Sequence, residues 1–296
     1  MATLRELKTR IGSVASSEKI TGAMKMISSA KVHKFESSLK QLVPYREKIK
    51  SVMAHIMQTG TDFSSPLIET RHEVKKIALA VFGSDDGLCG AYNINIFKAA
   101  LVEINQLKAK YGPSVDIDLY PIGQKMHKAL SKIAGQHMHI VAVEGVDSKM
   151  EAEKVNEFTH SLRDRFSSGE YDLVCVEYMK FFSMSRQRPT LETLFPVSGE
   201  TLLEGSDSKE ANGLCIFEPD ANSIFNAVLP MFVLSTMQEI TIENRASEQA
   251  ARVMAMQSAN DNAKKLLEGL QLEYNKLRQE SITTELLDIL GGQVER

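Results

Sequence analysis

After Pro230 the chain runs to its end without another proline, and the only glycine before Gly291 is Gly269. A single helix of about sixty residues is therefore open to it, about 90 Å long at 1.5 Å per residue. That is far beyond what one globular core covers. Within this stretch Val253, Met256, Asn260, Ala263, Leu267, Leu270, Tyr274 and Leu277 step alternately by three and four. The spacing is a heptad seam and predicts a coiled coil with a partner helix. Asn260 is its single polar member, and the sequence leaves open whether it fixes register or lies at the wet edge of the seam. Past Leu277 the seam fails at Ser281 and Thr284, while Ile282, Leu286, Ile289 and Leu290 begin a new apolar stripe. An apolar tip without its own partner helix needs a sleeve supplied by another chain.

The partner helix is sought at the other end. Leu4, Leu7, Ile11 and Val14 step by three and four, and after the polar "SSEK" the steps resume at Ile20, Ala23, Ile27 and Ala30. These eight are expected to form one packing stripe with an interrupted register. Gly12 and Gly22 each weaken a helix by about 1 kcal/mol, which is tolerable where another backbone comes close. Pro44 is expected to kink or break the segment, and Gly60 to end whatever continues past it. Because the N-terminal stripe is the shorter, an antiparallel pair leaves the C-terminal tip unpaired.

Between the two ends, residues 75 to 195 alternate short apolar runs with helical ones, starting with "KIALAVF" and "INIFKAALVEINQL". The order reads βαβαβαββ and predicts a mainly parallel sheet covered by helices. The expected fold class is thus α/β: an antiparallel coiled coil of the N- and C-terminal helices with an inserted Rossmann-like α/β domain. Its expected divisions are an N-terminal helix at 1–60, the α/β domain at 72–200 and a C-terminal helix at 214–296. The polar segment at 198–213 reads as a loop.

Composition narrows the function. No apolar run approaches the roughly 18 residues of a membrane span, and the N-terminus has no signal-peptide core, so neither secretion nor direct membrane insertion is expected. The three cysteines, Cys89, Cys175 and Cys215, are far apart and form no CxxC pair, which gives no zinc signature. Residues 1–50 hold eleven Lys and Arg against four Glu. With only Phe35 and Tyr45 as aromatics and no accompanying motif, that basic element does not predict nucleic-acid binding.

The candidate for chemistry is "GSDDGLCGAYN" at residues 83–93, a glycine-rich turn between strand and helix. GxxxxGK[ST] and GxGxxG are both absent, which removes the phosphate cradles. Gly87-Leu88-Cys89-Gly90-Ala91 approaches the elbow of a cysteine nucleophile, but no histidine stands in an H-x-E arrangement to serve it. Asp85 and Asp86 are adjacent, so their carboxylates diverge, and they suit turn or cap roles better than a metal site. No catalytic residue, cofactor or metal ligand is expected.

Three blocks carry a family resemblance: "SVASSEKITGAMKMISSAKVHK" at 13–34, "SDDGLCGAYN" at 84–93, and "SEQAARVMAMQSANDNAKKLLEGLQLEYNKLRQESITTELLDILGG" at 247–292. The chain resembles the gamma subunits of F-type ATP synthases along essentially its whole length. The resemblance implies a rotor shaft: a non-enzymatic subunit, one copy per complex, turning inside a ring of alpha and beta subunits and gripping epsilon and the membrane ring of c subunits. By position it places Met24, Arg252, Arg278, Gln279, Thr283 and Glu285 against the alpha/beta ring, and Cys215, Phe217 and Glu218 at the c ring. Cys215 stands where relatives carry an aromatic residue, and Gly22 where many carry lysine. The start at "ATLRELKTRIG", without an Arg- and Ser-rich presequence, favours a bacterial source and so the cytoplasmic face of the inner membrane. The alternatives are a cysteine-dependent glutaminase-like enzyme with helical extensions and a coiled-coil scaffold.

Overall fold

The computed structural model describes residues 3–57, 63–71, 73–203 and 217–294. The expected division points 60, 72, 214 and 296 lie outside them, as does Cys215. Two helices dominate, α1 (Leu4–Met57) and α6 (Ala221–Val294). Thr3 starts α1 through a reciprocal capping box: the Glu6 amide donates to Thr3 Oγ1 at 3.3 Å and the Thr3 amide to Glu6 Oε2 at 2.9 Å. Asp220 starts α6 by accepting from the Ser223 amide at 2.9 Å. Neither interior proline breaks its helix. Pro44 lies within α1 and Pro230 within α6, which begins nine residues before that proline. Each removes one backbone donor, and the length of helix on both sides offsets that loss.

The chain divides into two compact units, Met1–Ser29 with Arg252–Arg296, and Ala30–Ala251. In the smaller unit the C-terminal seam is the covered face of α6: Val253, Met256, Asn260 and Leu270 are buried, and Ala263, Leu267, Tyr274 and Leu277 half-buried. On α1 the covered positions include Leu4, Leu7, Ile11, Val14, Glu18, Thr21, Lys25 and Ser28, stepping three and four, with Ala15, Gly22, Met24 and Ser29 half-buried beside them. This corrects the expected stripe. Its second half faces solvent, with Ile20 59% and Ile27 58% exposed. The register is uninterrupted because polar residues continue it. In this unit Asn260 meets Glu18 and Thr21. In the larger unit Glu239 lies 3.0 Å from Arg46. There too the His55 ring lies 6.5 Å from that of Phe217, just before α6, so within this unit the α1 number rises as the α6 number falls and the two helices are antiparallel.

The larger unit holds a five-stranded sheet ordered β3-β2-β1-β4-β5. The strands are β1 (Lys76–Phe82), β2 (Asp116–Ile122), β3 (Met138–Ile140), β4 (Leu173–Ser183) and β5 (Arg186–Phe195). The first four pair in parallel, and β5 runs antiparallel at the edge beside β4. Helices α2 (Tyr92–Tyr111), α3 (Gln124–Leu130) and α4 (Ala152–Ser167) are the crossovers, and α5 (Gly199–Leu203) follows β5. The continuous apolar run of β1 is explained by burial on both faces. Ala78, Ala80 and Phe82 enter a core with Phe158, Phe166 and Met237, while Ile77, Leu79 and Val81 enter another with Ile96, Ile104 and Met126. One stretch of α6 is apolar enough by composition to cross a bilayer, but 56% of it is buried in the protein, as in a core helix.

Candidate functional site

The turn at 83–93 leaves the carboxyl end of β1 and feeds α2. Its hydrogen bonds point inward. Asn93 Oδ1 accepts from the Ser84 amide at 3.1 Å, and Asn93 Nδ2 donates to Ser84 Oγ at 2.8 Å and to Cys89 Sγ at 3.4 Å. Asp85 accepts from the Gln124 amide at 2.9 Å and from Ser148 Oγ at 2.7 Å. Asp86 makes an exposed pair with Lys149 at 2.9 Å that raises the lysine pKa and is worth little to stability. The backbone there is tight. A Cβ on Gly123, whose φ is +101°, would fall 2.9 Å from the Ser84 carbonyl carbon, so this crossing of two loops requires glycine.

These contacts do not assemble a nucleophile. Cys89 is 3% exposed, and its sulfur lies against the neutral groups Asn93 Nδ2, Ser84 Oγ and the Asp86 carbonyl. Burial pushes the Cys175 thiol up to about 12, which keeps it inert. Among the described residues no group of three His, Cys, Asp or Glu side chains is placed to hold a metal.

The turn instead holds α6. Asn244 Oδ1 accepts from Tyr92 Oη at 2.7 Å and from the Met179 amide at 3.2 Å, while Asn244 Nδ2 donates to the Gly83 carbonyl at 3.3 Å. Next to it, the Arg245 guanidinium donates to the carbonyls of Ser148, at 2.9 Å, and Met150. Sequence reasoning did not find this pair. Both lie in an unmarked stretch of a long helix, and their partners are distant in sequence.

Buried carboxylates sit nearby in the same unit. Glu177, on β4, is 1% exposed, and burial, with Glu103 adding repulsion, pushes its carboxyl up to about 8. Burial likewise raises Glu243 to about 7, against the opposing pull of Lys180. Glu239 is also raised by burial, and Arg46 draws it back down. A cleft of about 1000 Å³ runs along β5, lined by Arg46, Lys180, Glu192 and Phe232 among others.

The residues placed by family position fall into distinct settings. Arg278, Gln279, Thr283 and Glu285 are all exposed on α6, where Thr283 Oγ1 donates back to the Gln279 carbonyl at 2.8 Å. Met24 is half-buried on α1. Arg252 is only 6% exposed and engaged within the chain, so it presents little surface to a partner. Phe217 is half-buried against the core, 6.5 Å from the His55 ring, and Glu218 beside it is exposed. From Ile282 to Leu290 every side chain is exposed, including Ile282, Leu286, Leu287, Ile289 and Leu290.

A family model described as ATP synthase matches residues 3–294. The ATP synthase gamma chain of Cupriavidus pinatubonensis is 36% identical over 293 residues, 99% of either chain. That of Parabacteroides distasonis is 38% identical over 292 residues, covering 99% of this chain and 98% of its own. Among solved structures, a chain of the Euglena gracilis mitochondrial ATP synthase superposes with a TM-score of 0.60 at 17% identity, over 98% of this chain and 93% of that one. One from the central stalk and c ring of the Tetrahymena thermophila enzyme gives 0.54 at 22%, over 81% and 99%. The two structural likenesses speak to the fold.

Proposed function

The chain belongs to the ATP synthase gamma-chain family, and from that premise we propose how its surfaces bear on the rest of the complex. It is the rotor shaft of the central stalk, a non-catalytic subunit of a membrane-associated complex. Its partners are the alpha/beta ring and the c ring. The observation that carries the proposal is the inverted face of α1. Polar residues meet α6 while Ile20 and Ile27 stay exposed, and apolar side chains left outward on a paired helix call for a further partner.

The ring-facing surface comprises this stripe with Met24, the exposed residues Arg278, Gln279, Thr283 and Glu285, and the apolar tip from Ile282. Arg278 is a directional donor that pairs with an acidic loop and releases it at each step, contributing about 1–3 kcal/mol per charged hydrogen bond. Arg252 is set apart as a buried internal residue. An uneven shaft acts by differential contact: each orientation favours one conformer of a beta subunit over the others, and turning shifts the populations. Phe217 and Glu218 face the c ring, with Phe217 anchored in the core and Glu218 free to reach a partner. Epsilon binds the α/β portion at 72–200, while the helices at 1–60 and 214–296 form the shaft. The complex works at the cytoplasmic face of a bacterial inner membrane.

Co-expression with alpha and beta subunits, followed by native mass measurement, tests this reading. It expects a complex containing one copy of the chain. Recovery as a free homodimer, as a coiled-coil scaffold would give, refutes it.

A further inference from the structure

The seam of the smaller unit changes character half-way along α1. As far as Val14 the three-four positions are apolar, and from Glu18 they are the polar Glu18, Thr21, Lys25 and Ser28, with Gly22 and Met24 half-buried beside them. The α6 residue that meets the polar stretch is Asn260, 8% exposed. Its Nδ2 donates to the Glu18 carbonyl at 2.7 Å and reaches Thr21 Oγ1 at 3.3 Å. Thr21 Oγ1 in turn lies 3.0 Å from the carbonyls of both Ser17 and Glu18, to either of which its proton is donated. The amide therefore enters a directed chain of donors and acceptors.

Reaching a carbonyl already inside a helix requires close approach, and the sequence provides it at one place. A Cβ on Gly22 would stand 3.4 Å from Asn260 Nδ2. Aliphatic seams are nearly degenerate under a slip of one heptad, since leucine replaces leucine-like neighbours. Asn260 is not degenerate. A slip of seven residues would bring Val14, which has no hydroxyl, to the place of Thr21, or Ser29, whose hydroxyl extends past a Cβ already at van der Waals contact, to the place of Gly22. A buried amide denied its acceptor is costly.

We infer that Asn260 and Gly22 form a register pin, in which Asn260 positions α6 against α1 so that the shaft turns in a single register. The pin itself is independent of the rotor assignment, and only its mechanical use rests on that reading. Nitroxide labels at Lys19 and Lys264, both exposed, read the register in the full chain once the native cysteines are replaced by serine. One heptad of slip moves the labels about 10 Å along the axis. The parent is expected to give one narrow distance. Asn260→Leu, which makes the seam apolar, should add a second, resolved population at a different distance, because the axial shift adds at right angles to the lateral separation of the two helices. Gly22→Val, which leaves the asparagine in place but blocks its approach, should do the same. In the assembled, membrane-bound complex both variants should lower proton pumping per ATP hydrolysed. A single unchanged distance in both variants overturns the pin and leaves the family assignment untouched, which the mass measurement tests separately.

Discussion

Replacing Ile20 and Ile27 together by glutamine separates an outward stripe from an inward one. Glutamine keeps helix propensity close to that of the surrounding sequence, so the change acts through surface. Burying a whole isoleucine side chain is worth about 1.5–3 kcal/mol. With 59% and 58% of these residues still exposed, a partner that covers them gains about 1–2 kcal/mol from each, or about 2–4 kcal/mol from both. The affinity of the chain for the alpha/beta ring should therefore fall by about 30- to 1000-fold. The free chain should change by no more than about 1 kcal/mol in a urea melt followed by far-UV circular dichroism. Leu7→Ala is the control, because Leu7 is fully buried and its truncation should cost about 2–5 kcal/mol. The reasoning is refuted if the double variant melts like Leu7→Ala, or if its affinity for the ring stays within about threefold of the parent, a change below 1 kcal/mol.

Three further outcomes follow from the larger unit. Glu177 has a folded pKa of about 8, raised from the model-compound value of 4.5, so its contribution is fully present below that lower value and is lost as pH rises through 8. Glu177→Gln should accordingly gain thermal stability over the parent progressively from pH 5 to pH 8, and a pH-independent difference in melting temperature would contradict the assignment. Asn244→Ala removes the acceptor of the Met179 amide and the donor to Gly83, at a cost of about 2–4 kcal/mol in a urea melt; a loss below about 0.5 kcal/mol would mean that the contacts carry no load. Cys89→Ala should leave ATP synthesis by the reconstituted complex within about twofold of the parent, since a buried packing thiol is exchanged for a smaller side chain. Abolished synthesis with normal assembly would revive a cysteine enzyme.

The C-terminal helix was readable because its seam is apolar almost throughout, so periodicity and covered face coincide. On α1 they part company. The apolar residues Ile20, Ala23 and Ile27 keep helical spacing among themselves, yet the seam passes through Glu18, Thr21 and Lys25. Carrying the three-four count onward from Val14, irrespective of polarity, marks the covered face as far as Ser28. Pro44 does not break α1, since tertiary packing holds helix where local propensity argues against it. The strands of the α/β block were legible from runs such as "KIALAVF", whose two-sided burial leaves no polar interruption. The family blocks point to candidate residues for a surface but not to the state of each side chain in it. Arg252 and Arg278 look alike in sequence, and one is buried while the other is exposed. Asn260 shows the same limit, because its acceptors belong to residues more than two hundred positions away.

The adjacent side chains of Asn244 and Arg245 leave α6 about 100° apart around its axis. Asn244 is fixed to Gly83, Tyr92 and Met179, and Arg245 to Ser148 and Met150. A round bar gripped on one side can roll in its seat, and one gripped at two angles cannot. The pair acts as a key in a keyway, blocking both rotation of α6 about itself and sliding along its length where it crosses the sheet. The turn that first resembled an active site is one wall of that keyway.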